Sequence, residues 1–125
     1  MRRFLLLLCA LLGACSTPAE LVLNETDNGR FSDVLTGEKV VISLPENQTT
    51  GYSWRFFAAL VGFFADVHEE YIAPNTTLLG AGGVKHYSFT VNSVGRATLT
   101  AFYYRPWEPL DMQKDLRVEF YFSAK

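Results

Sequence analysis

Short runs of alternating apolar and polar residues fill most of the chain, and that period of two predicts strands. Glu38-Lys39-Val40-Val41-Ile42-Ser43-Leu44 is β-branched and alternating, and Tyr52, Trp54, Phe56, Ala58 and Leu60 fall on one parity. The period is clearest late in the chain. Tyr87, Phe89 and Val91 share a parity, as do Ala97, Leu99, Ala101 and Tyr103, and as do Leu116, Val118, Phe120 and Phe122, with Thr98, Thr100, Arg117 and Glu119 between them. Together with Leu21-Val22-Leu23 and the acidic run from Asp66, these patterns predict strands over 21–23, 38–44, 52–60, 66–73, 85–92, 96–104 and 116–123. Only the run from Phe56 to Phe64 could pass for a helix, and its Phe-Phe and Ala-Ala pairs fit neither period. Seven or eight short strands at regular spacing predict an all-β chain folded as an immunoglobulin-like β-sandwich.

If each of the seven strands reverses the one before, the connections at 45–51, 74–84 and 105–114 emerge side by side at one end of the sandwich. All three are unusual. Asn47-Gln48-Thr49-Thr50-Gly51-Tyr52 is small, uncharged and polar, with Asn47 placed to bond the backbone two residues on and Gly51 able to take a positive φ. Gly80, Gly82 and Gly83 lack side chains, so another backbone can approach closely. Arg105-Pro106-Trp107 sets two residue types enriched at interface hot spots around a proline of fixed φ. A buried structural role competes for Trp107 and is the expected one for Trp54, in mid-strand.

The start of the chain reads differently. Met1-Arg2-Arg3 is a basic n-region, and Phe4 to Leu12 is an apolar stretch of signal-peptide length, too short to span a bilayer. Leu12-Gly13-Ala14-Cys15 has the pattern of a bacterial lipobox. The expected organisation is a lipoprotein signal peptide at 1–14, a lipidated tether at 15–20 beginning with Cys15, and a domain at 21–125. Ser16 after the cysteine resembles outer-membrane lipoproteins of Gram-negative bacteria, so the expected location is the cell envelope, held to the membrane through lipid alone.

Cleavage there removes Cys9 and commits Cys15 to lipid, leaving the domain no thiol for a disulfide, a metal site or a nucleophile. A domain of about a hundred residues must then be held by its core, and 49% hydrophobic residues, ten of them Phe, suffice for one. The net charge of −2 supplies no nucleic-acid surface. Asp66, His68, Glu69 and Glu70 do not make a metal site, because a strand sends neighbours to opposite faces. No nucleophile, base and orienting acid can be assembled from the loops, so no enzyme and no cofactor is expected.

The Asn47–Tyr52 loop, Gly80-Ala81-Gly82-Gly83 and Arg105-Pro106-Trp107, in that order, resemble the three-loop signature of the chagasin-type inhibitors of papain-like cysteine peptidases. That family shows Asn-Pro-Thr-Thr-Gly followed by an aromatic, then Gly-x-Gly-Gly, then Arg-Pro followed by an aromatic. The resemblance covers roughly residues 21–125, and Gln48 departs from it where the family has proline. It implies a monomeric, reversible and competitive inhibitor with a papain-like cysteine peptidase as partner. Thr49 would lie beside the catalytic cysteine and histidine of the enzyme, with Asn47, Gln48, Thr50, Gly51 and Tyr52 shaping the wedge. Gly80, Gly82 and Gly83 would flank one side of the cleft, and Trp107, supported by Arg105 and Pro106, the other. The rival reading is an immunoglobulin-like envelope or adhesion module that binds a protein or glycan partner.

One outcome follows from the N-terminal pattern alone. A Cys15→Ser precursor is expected to lose its lipid and to leave the membrane fraction; a variant that still sediments with membranes after a carbonate wash would remove the anchor assignment.

Overall fold

Eight strands make up the fold: β1 (Glu20–Asn24), β2 (Phe31–Val34), β3 (Lys39–Glu46), β4 (Ser53–Ala58), β5 (Phe64–Ile72), β6 (Gly83–Val91), β7 (Gly95–Tyr104) and β8 (Leu116–Ala124). The computed structural model describes residues 20–125 except Leu60 and Thr77. The expected leader at 1–14, the expected lipidation site Cys15 and residues 16–19 of the expected tether therefore lie outside the described residues, while Glu20, the last residue of that tether, is the first of β1. Two four-stranded sheets, ordered β1-β3-β6-β5 and β2-β8-β7-β4, pack as a sandwich, and the described residues contain three short 3-10 turns and no α-helix.

The inward parity is the one the pattern predicts for most strands. Val40, Ile42 and Leu44 of β3, Tyr87, Phe89 and Val91 of β6, Ala97, Leu99 and Ala101 of β7, and Val118, Phe120 and Phe122 of β8 are all buried. Phe89 joins the two layers: its ring lies edge-on 4.7 Å from Phe64 in its own sheet and edge-on 5.5 Å from Phe122 in the other. Burial, and then the charge of Glu69, push the Tyr87 phenol above its ordinary pKa.

The structure departs from the pattern in four places, each with a physical reason. Phe31–Val34 was not expected as a strand; only Ser32 and Val34 point inward, too few positions to show a period, and β2 gains its place by parallel pairing with β8. The strand expected over 52–60 ends at Ala58 and gives way to a 3-10 turn at Val61–Phe63, after which β5 begins two residues early, at Phe64. A bulge between Ala65 and His68, with Asp66 at φ 51°, then breaks the alternation that a regular β5 would carry. On β8 Leu116, at the strand's start, is exposed although it shares the inward parity, and on β7 Phe102, of the outward parity, is buried on the face where Phe57, Leu110 and Met112 gather.

Strand direction positions the connectors. The first two expected strands, β1 and β3, run parallel and not reversed, because the unexpected β2 lies between them in the chain; with β2 counted, every successive strand reverses. Glu46 at the end of β3 pairs with Gly83 at the start of β6, Ile72 with Val84, Ser53 with Tyr104, and Leu116 with Tyr103. The loops at 47–52, 73–82 and 105–115 therefore share one pole, with Pro45 and Glu46 inside β3 rather than in the first loop.

Gly83 also moves from loop to strand. It is buried in β6, and a Cβ there would collide with the Ile72 carbonyl oxygen and the Tyr71 ring, so glycine lets β5 and β6 close on each other. Gly83→Ala is expected to cost about 1–3 kcal/mol of unfolding free energy. Chemical denaturation checks it, and an unchanged midpoint would show that β5 yields freely.

Candidate functional site

The 47–52 loop is shaped by its own side chains. Asn47 is extended (φ −109°, ψ 99°) and caps a 3-10 turn over Gln48–Thr50: its Oδ1 accepts from Thr49 N at 3.1 Å and from Thr49 Oγ1 at 2.6 Å. Thr50 Oγ1 donates to the Asn47 carbonyl at 2.8 Å and accepts from Tyr52 N at 3.3 Å. Gly51 ends the turn in the left-handed region at φ 82°, which a side chain would resist. The result is a narrow polar tip with Thr49 exposed.

Bonds between the loops hold the three together. Asn47 Nδ2 donates to the Gly80 carbonyl at 2.8 Å, and Asn47 N donates to Tyr103 Oη at 3.0 Å. Arg105 Nε donates to the Thr50 carbonyl at 3.3 Å, while its guanidinium lies 4.7 Å over the Tyr52 ring and 3.7 Å from the Glu108 carboxylate. Behind them the rings step inward: Tyr52 lies 5.4 Å from Tyr103, and Tyr103 lies 4.8 Å from Trp54, whose Nε1 donates to the Pro45 carbonyl at 2.7 Å.

Trp107 and Trp54 play opposite parts. Trp54 is 4% exposed and belongs to the core; Trp107 is 70% exposed, its ring laid across Gly51 so closely that a Cβ on that glycine would strike it. The buried reading of Trp107 is thereby set aside. On the other flank Leu79 is fully exposed beside Gly80, and Gly82 is also exposed.

One charged group lies under the pole. Glu46 is 1% exposed; its Oε1 accepts from Trp54 N at 2.8 Å, its Oε2 from Gln48 Nε2 at 3.1 Å, and Lys85 Nζ stands 4.0 Å away. A carboxylate removed from water is tolerated because donors and a cation replace the lost solvation.

The structure thus brings Asn47, Gln48, Thr49, Thr50, Gly51, Tyr52, Gly80, Gly82, Arg105, Pro106 and Trp107 to one pole, and places Gly83 just beneath it, in β6. The sequence reading passed over Glu46 and the hydroxyl of Tyr103. The signal for Glu46 was present: continued past Pro45, the parity of Val40, Ile42 and Leu44 points residue 46 inward, and an inward carboxylate needs partners.

Comparison with known proteins bears on this geometry. The family model described as chagasin family peptidase inhibitor I42 matches residues 33–121. Chagasin of Trypanosoma cruzi is 37% identical over 90 residues, covering 68% of this chain and 81% of that protein. Among solved structures, a cysteine protease inhibitor from Entamoeba histolytica superposes with a TM-score of 0.74 at 18% identity, covering 88% of this chain and 99% of the other. PbICP-C, solved in complex with falcipain-2, superposes with a TM-score of 0.53 at 16% identity, covering 88% and 93%. At such identities the two structural likenesses speak for the fold.

The contact between Gly51 and Trp107 can be tested directly. Gly51→Ala is expected to cost about 1–3 kcal/mol of stability, from the left-handed φ and from the displaced ring. In a Trp107→Ala background the same change should cost less; equal losses in the two backgrounds would show that φ alone sets the cost.

Proposed function

Because this chain belongs to the chagasin family of peptidase inhibitors, we propose that it inhibits papain-like cysteine peptidases reversibly and competitively, by filling the active-site cleft with its loop pole. The observation that carries this reading is the joining of three motif-bearing loops into one braced surface, with a polar turn at its centre and an exposed tryptophan at its side.

The chemistry of the tip suits occlusion. The Thr49 hydroxyl donates to Asn47 Oδ1 and the Thr50 hydroxyl to the Asn47 carbonyl, so neither has a base to make it a nucleophile. The turn can therefore lie beside a catalytic thiolate without forming a bond to it. Thr49 leads, Asn47, Gln48, Thr50, Gly51 and Tyr52 form the wedge, Gly80 and Gly82 with Gly83 behind them let the 73–82 loop lie close along one wall, and Trp107 with Arg105 and Pro106 rests on the other. A tryptophan that is largely exposed in the free protein gains most when a partner covers it. The fold relative solved in complex with falcipain-2 supports a cysteine peptidase as that partner.

The proposal extends to where the inhibitor works. The Leu12-Gly13-Ala14-Cys15 pattern supports a domain anchored through lipid at Cys15 in a bacterial envelope, Ser16 after the cysteine favours the outer membrane, and the family resemblance favours a monomer.

The purified domain, residues 20–125, is expected to inhibit papain with nanomolar affinity or better and to spare trypsin-type serine peptidases. Papain preloaded with a long peptidyl inhibitor should no longer bind it. Trp107→Ala should weaken inhibition by about 2 kcal/mol, roughly thirtyfold, with little change in melting temperature. Absence of inhibition at tens of micromolar, or full binding to cleft-filled enzyme in calorimetry, would overturn the reading.

A further inference from the structure

Gln48 stands where the resembled family carries proline, and the backbone around it has kept a shape that proline would fit. Asn47 is extended, as a residue before proline must be, and residue 48 opens the 3-10 turn, where a fixed φ and a missing N–H do no harm. A glutamine confers neither restraint through its backbone. Its side chain confers a different one: Gln48 Nε2 donates to Glu46 Oε2 at 3.1 Å. The same carboxylate takes Trp54 N on its other oxygen at 2.8 Å, so one buried group grips the chain inside the turn and again just beyond it.

We infer that Gln48 is a positioning residue: its bond to the buried Glu46 carboxylate holds the 47–52 loop in its docking shape before any partner arrives, the task that a proline ring would otherwise perform. The anchor is well suited to this. Glu46 sits on β3, paired with Gly83 of β6; its charge strengthens the bond it accepts; and Lys85 Nζ stands 4.0 Å from it. A restraint of this kind acts on the free protein, by removing conformations that would have to be given up on binding. Its effect on inhibition rests on the function proposed above, whereas its effect on the loop does not.

Two variants of the full chain test the idea. Gln48→Met keeps the length of the side chain and removes the amide; Gln48→Pro removes the amide and restores the restraint through φ. In the unbound protein, exchange of the Thr50 and Gly51 amide hydrogens, which close the turn on Asn47 O and Gln48 O, should speed up in Gln48→Met and return to the parent rate or below in Gln48→Pro. Affinity for papain should fall about two- to tenfold in Gln48→Met and recover in Gln48→Pro, while melting temperature falls alike in both, because each deprives the buried Glu46 carboxylate of a donor. Unchanged exchange in Gln48→Met would overturn the restraint. Faster exchange with unaltered papain binding would overturn its role in docking, as would a Gln48→Pro variant as weak as Gln48→Met, which would mean that the glutamine acts through its own contact with the enzyme and not by holding the loop. If neither parent nor variants inhibit papain, the functional proposal fails, and the exchange rates still decide whether Gln48 restrains the loop.

Discussion

Everything at the loop pole depends on Asn47 being bonded to three parts of the molecule at once. Its main-chain N–H reaches Tyr103 on β7, its side-chain oxygen closes the turn on Thr49, and its side-chain nitrogen takes the Gly80 carbonyl of a neighbouring loop. Each such bond contributes only about 0.5–1.5 kcal/mol net. Their value is geometric. Loops are the least ordered parts of a sandwich, and three of them presented together would lose much freedom on meeting a partner unless they were already fixed to one another.

Rigidity also arrives from below. Trp54 is part of the core, Tyr103 leans on it, Tyr52 leans on Tyr103, and Arg105 covers Tyr52 at the surface. Aromatic rings have few torsions, so a stack of them carries the order of the interior outward at low entropic cost. The outermost ring, Trp107, is set across Gly51 instead, and a glycine there is required twice over, by its φ and by the space the indole takes.

Much of this could be read from the residues. Alternation located the buried faces of β3, β6, β7 and β8, and counting strands brought three separated motifs to one end, because direction in a sandwich is fixed by parity. What escaped had weak or interrupted patterns. β2 has two inward positions, one of them a serine whose hydroxyl is buried without a partner. β5 changes register at Asp66, and a bulge cannot be seen in a period of two. Gly83 looked like loop because glycine usually marks one; its role in close strand packing needed coordinates. Glu46 lay in the stretch read as a connection, two residues past the expected end of the strand at Leu44.

The parallel pairing of β1 with β3 decides how the molecule can be held. Glu20 lies opposite Lys39, at the start of β3, and the loops lie past Glu46 at its other end. An eight-residue strand is about 25 Å long, so residue 20 and the wedge are at opposite tips of the sandwich. Residue 20 thus lies where a shaft would meet a spearhead, and the wedge is the point. The chain could be fixed to a bead, a vesicle or another protein by that end, and a body as large as a peptidase would still have an open approach to the point.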